Sequence, residues 1–196
     1  MAVTAIFGGT FNPLHIGHYE MLDAVNKLEY IERIFLMPDN IPPHKTCDYL
    51  APDSDRIEMC RIICKDFSKA ELCLVEFERE GKSYTFDTVK ELKKIYPKES
   101  FYFVCGGDMI TSLDTWHRWD ELIKEVGFIA FNRKGEGEAF RFAVDRFKAL
   151  GADIKVVDKT VTAVSSTELR ADIKGKKNLI PEKVYRYIAE KGLYNE

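Results

Sequence analysis

Short apolar runs alternate with amphipathic segments along the whole of this chain, and that alternation limits the fold more than any other feature. Residues 2–7 form an apolar run ending at Gly8-Gly9 and read as a buried strand. Residues 33–38, 72–77, 101–105, 128–131 and 154–157 repeat the pattern. Between them, Tyr19, Leu22 and Val25 mark one face of a helix over 16–27. Ser54 or Asp53 is expected to cap a second helix with Ile57, Cys60, Cys64 and Phe67 inside. Phe86, Val89, Leu92 and Tyr96 mark a third, stopped at Pro97, and 116–124 reads as a fourth. Phe140, Val144, Phe147 and Leu150 mark a fifth, closed by Gly151. Two short helices over 166–173 and 182–191 end the chain. Strand–helix units in series predict an α/β fold: a doubly wound, mainly parallel sheet with helices on both faces. With 196 residues and no internal repeat or linker, a single domain is expected, with 164–196 as its helical C-terminal part.

In such sheets ligands bind beyond the carboxyl ends of the strands. After the first strand comes Gly8-Gly9-Thr10-Phe11-Asn12-Pro13-Leu14-His15-Ile16-Gly17-His18. Paired glycines let a ligand approach main-chain N–H groups. The helix that follows offers an anion its unpaired N–H groups and positive dipole end. His15 and His18, three apart, share a face of the first turn and can aim donors at one phosphate. Gly17 leaves room between them for something bulky. Structural histidines, or a metal site with Asp108 as third ligand, are the competing readings. The segment is neither a Walker loop nor a GxGxxG turn.

A second candidate anion site is Ser165-Ser166-Thr167-Glu168-Leu169-Arg170. Thr167 and Arg170 share one face of a helical turn. Ser165 and Glu168 also have capping-box spacing, so Ser165 can equally be structural. Trp116 and Trp119, again three apart, can be core residues, stacking surfaces for a flat ring, or one of each. Segment 39–52, with Pro42-Pro43-His44-Lys45, is long for a connector and a candidate closing loop. The balance of 29 basic and 32 acidic residues gives a net charge of −3, which argues against charge-driven nucleic-acid binding. No run is long enough to span a membrane and the start lacks a signal-peptide pattern. Five cysteines without CxxC spacing read as reduced thiols of a cytoplasmic protein.

GGTFNPLHIGH resembles the signature of the nucleotidyltransferases with a T/HxGH motif, and with His at position 15 it is similar to the bacterial nicotinate-nucleotide adenylyltransferases. VSSTELR at 164–170, SYTFDT at 83–88, Gly106-Gly107-Asp108 and Trp116-His117-Arg118-Trp119 are similar to further segments of that family. The resemblance implies a Rossmann-like fold and adenylyl transfer from ATP to nicotinate mononucleotide, giving deamido-NAD and pyrophosphate. It assigns catalysis to His15, His18 and Arg170. It assigns ATP to Gly8, Gly9, Thr10, Phe11, His15, His18, Gly106, Asp108, Ser165, Thr167 and Arg170. For nicotinate mononucleotide it implies His44, Lys45, Thr85, Trp116, His117 and Arg133, with Lys45 equally readable as a solvated residue. Mg²⁺ is expected on the ATP phosphates without a dedicated protein site. Nucleic acid and membrane are not expected partners, and a homodimer is possible in this family. The same reaction on the amide mononucleotide or on both, a regulatory module without turnover, and a metal hydrolase using His15, His18 and Asp108 are the rival functions.

Overall fold

The computed structural model describes residues 2–41, 49–79, 81–133 and 137–194. Six strands form one sheet: β1 (Val3–Gly9), β2 (Arg33–Pro38), β3 (Ala70–Leu72), β4 (Ser100–Gly106), β5 (Gly127–Arg133) and β6 (Ile154–Val161). Their spatial order is β3-β2-β1-β4-β5-β6 and every neighbouring pair is parallel. The order reverses between β1 and β4, which opens a crevice at their carboxyl ends. The helices are α1 (Ile16–Asn26), α2 (Asp53–Cys64), α3 (Thr85–Ile95), α4 (Gly107–Thr111), α5 (Trp119–Glu125), α6 (Gly137–Ala149), α7 (Ser166–Ala171) and α8 (Glu182–Lys191).

Two cores sandwich the sheet. Successive strand residues point to opposite faces, so Ala5 and Phe7 pack with the buried side chains of α1, α2, α7 and α8, while Ile6 packs with those of α3, α5 and α6. Phe128, Phe131 and Phe147 are fully buried. Each such side chain contributes about 1.5–3 kcal/mol relative to exposure. Leu169, Val184 and Ile188 join the first core, so the C-terminal helices are built onto the sheet rather than appended to it.

Several expectations from sequence need correction. The third strand is only 70–72, and Val75–Glu78 is a 3-10 turn. In that turn Glu76 is buried, and the Thr88 hydroxyl donates to its carboxylate at 2.8 Å. On α2 the N-cap is Pro52, without a side-chain cap bond, rather than Asp53 or Ser54. Its inner face is Arg56, Met59, Cys60 and Ile63; Ile57 and Cys64 are only half-buried. The fourth helix starts at Trp119, because 113–115 forms a 3-10 turn and Arg118 takes a left-handed conformation, φ 54°. Leu150 is half exposed, since α6 ends one residue earlier and the chain turns at Gly151 with φ 95°. Among the described residues, no helix is long and apolar enough to cross a membrane.

Candidate functional site

A cleft of about 880 Å³ lies over the carboxyl ends of β1 and β4. Its lining includes Gly8, Gly9, Thr10, Phe11, His15 and His18 and, from much later in the sequence, Ser165, Thr167 and Arg170. Gly106 ends β4 and Asp108 follows it in α4, and both line the cleft, as do Thr85, Trp116 and His117. His44 and Lys45 fall outside the described residues, as does the side chain of Arg133 at the end of β5.

The two histidines are fixed by the start of α1. His15 is its N-cap residue, with extended backbone. The His15 Nδ1 accepts from the His18 N–H, and the His18 Nδ1 accepts from the His15 N–H, both at 3.3 Å. This is a capping box made of imidazoles, and the rings lie nearly parallel with centroids 3.6 Å apart. A ring nitrogen that accepts a hydrogen bond carries no proton, so each ring keeps its proton on Nε2. The rings are further wedged by Phe11, whose edge meets His18 with a centroid distance of 5.1 Å. Gly17 is needed for close approach, but of protein rather than ligand: a Cβ there would stand 2.6 Å from the Thr162 carbonyl oxygen.

The distant segment around 165–170 meets this one directly. The Arg170 Nη1 donates to the Asn12 carbonyl at 2.8 Å and its Nη2 to the Thr167 hydroxyl at 3.2 Å. Ser166 donates to the Pro13 carbonyl at 3.4 Å. Ser165 does cap α7, accepting from the Glu168 N–H at 3.5 Å. Asn12 is held from the other side as well: its Oδ1 accepts from the Tyr194 hydroxyl at 2.8 Å and from the Ala51 N–H at 3.1 Å. Tyr194, beyond α8, therefore braces the loop between β1 and α1.

Trp116 stands edge-on to Phe103 at 5.6 Å, while Trp119 packs on Phe147 at 5.9 Å in the second core. Of the two tryptophans, Trp116 lines the cleft. The His117 ring packs on Tyr84 at a 34° tilt with centroids 4.4 Å apart. The left-handed Arg118 that follows is held by its guanidinium lying 3.9 Å from the Phe86 ring centroid and by a forked bond to Glu121. Helix α3 starts at Thr85 without a side-chain cap, which leaves first-turn N–H groups without intrahelical partners, and Thr85 lines the cleft.

Two buried polar residues in or next to the cleft, Glu76 and Arg56, escaped sequence reasoning. Glu76 lines the cleft and is nearly buried, as is Ser83 of the 83–88 segment; Arg56 is fully buried outside the cleft lining, bonded to the Thr10 carbonyl. Burial pushes the Glu76 carboxyl above the ordinary glutamate range, against hydrogen bonds from Ser83 and Thr88 that pull it down. Apolar periodicity cannot find such residues, since it scores them as surface. The described cysteines lie outside the cleft lining, and burial pushes the Cys64 thiol up to about 11. Among the described residues, no group of three or more His, Cys, Asp or Glu side chains could hold a metal ion.

The cytidylyltransferase-like family model matches residues 6–172. A nicotinate-nucleotide adenylyltransferase of Bacillus subtilis (strain 168) is 40% identical over 198 residues, covering 99% of both chains. A Listeria innocua protein named "Probable nicotinate-nucleotide adenylyltransferase" is 36% identical, covering 97% of this chain and 96% of its own. Among solved structures, the nicotinic acid mononucleotide adenylyltransferase of Plasmodium falciparum complexed with APC has the same fold. It gives a TM-score of 0.82 at 24% identity, over 100% of this chain and 98% of that one. Full-length similarity, the shared fold and the matching family model establish that this chain belongs to the nicotinate-nucleotide adenylyltransferase family of cytidylyltransferase-like proteins.

Proposed function

We propose that the chain transfers the adenylyl group of ATP to nicotinate mononucleotide, releasing pyrophosphate and forming deamido-NAD. One observation carries the reading: the residues around 8–18 and 165–170, far apart in sequence, meet through Arg170 and Asn12 at one cleft that Trp116 also lines. Such a cleft accommodates a triphosphate at one end and a flat ring at the other.

The acceptor phosphate is already anionic at neutral pH and needs no general base. One of its oxygens attacks the α-phosphorus in line. The bond from that phosphorus to the bridging oxygen breaks, and its electron pair leaves with pyrophosphate. The protein's task is positioning and charge stabilisation. The Nε2–H groups of His15 and His18 donate to oxygens at the α- and β-phosphates. Arg170 and Thr167 hold the β- and γ-phosphates, and Ser165 assists while capping α7. The backbone at Gly8, Gly9, Thr10 and Phe11 lies along the phosphates. Gly106 lets the ribose approach and Asp108 accepts from its hydroxyls. Mg²⁺ bound to the phosphates would neutralise charge on the leaving pyrophosphate.

Trp116 stacks on the pyridine ring. Main-chain N–H groups at Thr85 and His117 donate to the ring carboxylate. An amide would oppose them with its own NH₂ donors, so the acid is preferred. His44, Lys45 and Arg133 are assigned to the acceptor phosphate on the family resemblance alone. Free thiols accord with work in a reducing cytoplasm.

The test is to incubate the protein with ATP, Mg²⁺ and either nicotinate or nicotinamide mononucleotide, following pyrophosphate and dinucleotide. Fast turnover of the acid and slow turnover of the amide are expected. Equal rates would remove the specificity claim, and no product from either would remove the activity.

A further inference from the structure

Arg56 has no part in the chemistry above, yet it is the largest fully buried side chain of the molecule among the described residues. It sits on the inner face of α2, where the neighbouring buried positions are Met59, Cys60 and Ile63. Its Nη1 donates to the Thr10 carbonyl at 3.0 Å, the Asp39 carbonyl at 2.8 Å and the Asp39 carboxylate at 3.1 Å. Its Nη2 donates to the Asp53 carboxylate at 2.6 Å and reaches the Asn40 carbonyl at 3.5 Å. The Thr10 hydroxyl closes the ring by donating to the other Asp39 oxygen at 2.9 Å. The network then crosses to the acceptor wall. The Asn40 N–H donates to the Ser83 hydroxyl at 3.2 Å, and the Ser83 N–H donates to the Ile41 carbonyl at 3.0 Å. Thr85, at the start of α3, is two residues further on.

An apolar core does not need a cation. A buried charge is unfavourable unless paired, and well-packed apolar residues in its place are often no worse for stability. What an apolar residue could not do is hold three chain segments in one plane, which a guanidinium with its rigid fork of donors can. We propose that Arg56 is a positioning residue that couples the two substrate subsites. It sets the backbone of Thr10 against the ATP phosphates and, through Asp39, Asn40 and Ser83, sets the start of α3 against the mononucleotide. It touches neither substrate. The inference rests on the functional reading above.

The experiment compares wild type and Arg56→Lys for thermal unfolding, for binding of ATP and of nicotinate mononucleotide by calorimetry, and for kcat and KM. Lysine keeps the charge but cannot span the fork. A folded Arg56→Lys protein should bind each substrate at least about tenfold more weakly and lose kcat, since displacements near 1 Å cost on the order of 100-fold. A lower melting temperature with both affinities within twofold of wild type would show a merely structural role and overturn the proposal. Should Arg56→Lys not fold, Ser83→Ala decides. It removes the hydroxyl to which Asn40 donates, keeps the Ser83 N–H bond to Ile41 and leaves the Thr10 contact, so weaker mononucleotide binding at unchanged ATP affinity is expected; any other pattern contradicts the coupling. If wild type makes no dinucleotide, the functional reading fails, and ATP affinity in Arg56→Lys still tests the positioning of Thr10.

Discussion

His15 and His18 cap each other: each Nδ1 accepts the other residue's backbone N–H, and the two rings stack 3.6 Å apart. The cap and the proposed phosphate site thus use opposite nitrogens of the same rings. Two consequences can be measured. In ¹⁵N-resolved spectra of the neutral rings, both should be Nε2–H tautomers; an Nδ1–H signature for either would contradict the arrangement. His18→Ala should lower kcat/KM by on the order of 100- to 1,000-fold, the usual cost of one lost transition-state donor. Loss of half the cap should cost about 1 kcal/mol of stability, so the variant remains folded. Near-wild-type turnover would remove the histidine from the chemistry.

Both tryptophans are half-buried against the second core, but only Trp116 also lines the cleft, so the two should respond differently to truncation. Trp116→Ala should raise KM for nicotinate mononucleotide by roughly 10- to 100-fold, the range of a lost base–aromatic stack. The ATP KM should change much less. Equal losses for both substrates would place the ring elsewhere.

Gly17 sets two effects against each other. Alanine in a helix is favoured over glycine by about 1 kcal/mol. The added Cβ, however, would stand 2.6 Å from the Thr162 carbonyl. That residue cannot easily retreat, because Glu20 accepts from both its N–H at 2.6 Å and its hydroxyl at 2.9 Å. Overpacking costs about 1–3 kcal/mol, so the clash should win. Gly17→Ala should melt several degrees lower, and its activity should fall because Thr162 leads into the 164–170 segment. A higher melting temperature with full activity would show that the contact yields freely.

Glu76 makes stability depend on pH in a defined direction. Its folded carboxyl titrates above the ordinary glutamate value, chiefly through burial. In the window between the two values the folded state holds more protons than the unfolded one, so stability falls as pH rises. The contribution is fully present below the unfolded value and lost as pH climbs through the folded one. Denaturant unfolding of wild type and Glu76→Gln across that window should show wild type losing ground to the variant as pH rises. A pH-independent difference, or one of opposite slope, would contradict the assignment.

The fold was legible because its signal is periodic. Strands β1, β2, β4, β5 and β6 coincide with apolar runs, and α8 lies between Pro181 and Gly192 as those residues dictate. What lay hidden depends on tertiary polar contacts. Glu76 and Arg56 are buried against the preference of their side chains, and only the fold supplies the Thr10, Asp39 and Thr88 atoms that make this tolerable. Gly17 was recognisable as a place of close approach, but the Thr162 carbonyl that occupies the space comes from 145 residues downstream. The cleft residues His15, His18, Thr167 and Arg170 could be named from local motifs; that they face one another required the bond from Arg170 to Asn12.

The central claim is that one triphosphate is held between the β1–α1 loop and the start of α7, and a crystal structure with a non-hydrolysable ATP analogue tests it most directly. The account predicts phosphate oxygens within hydrogen-bonding distance of the Nε2 atoms of His15 and His18 and of the Arg170 guanidinium in the same molecule. An analogue bound with its phosphates away from either group, or outside the cleft, would contradict it.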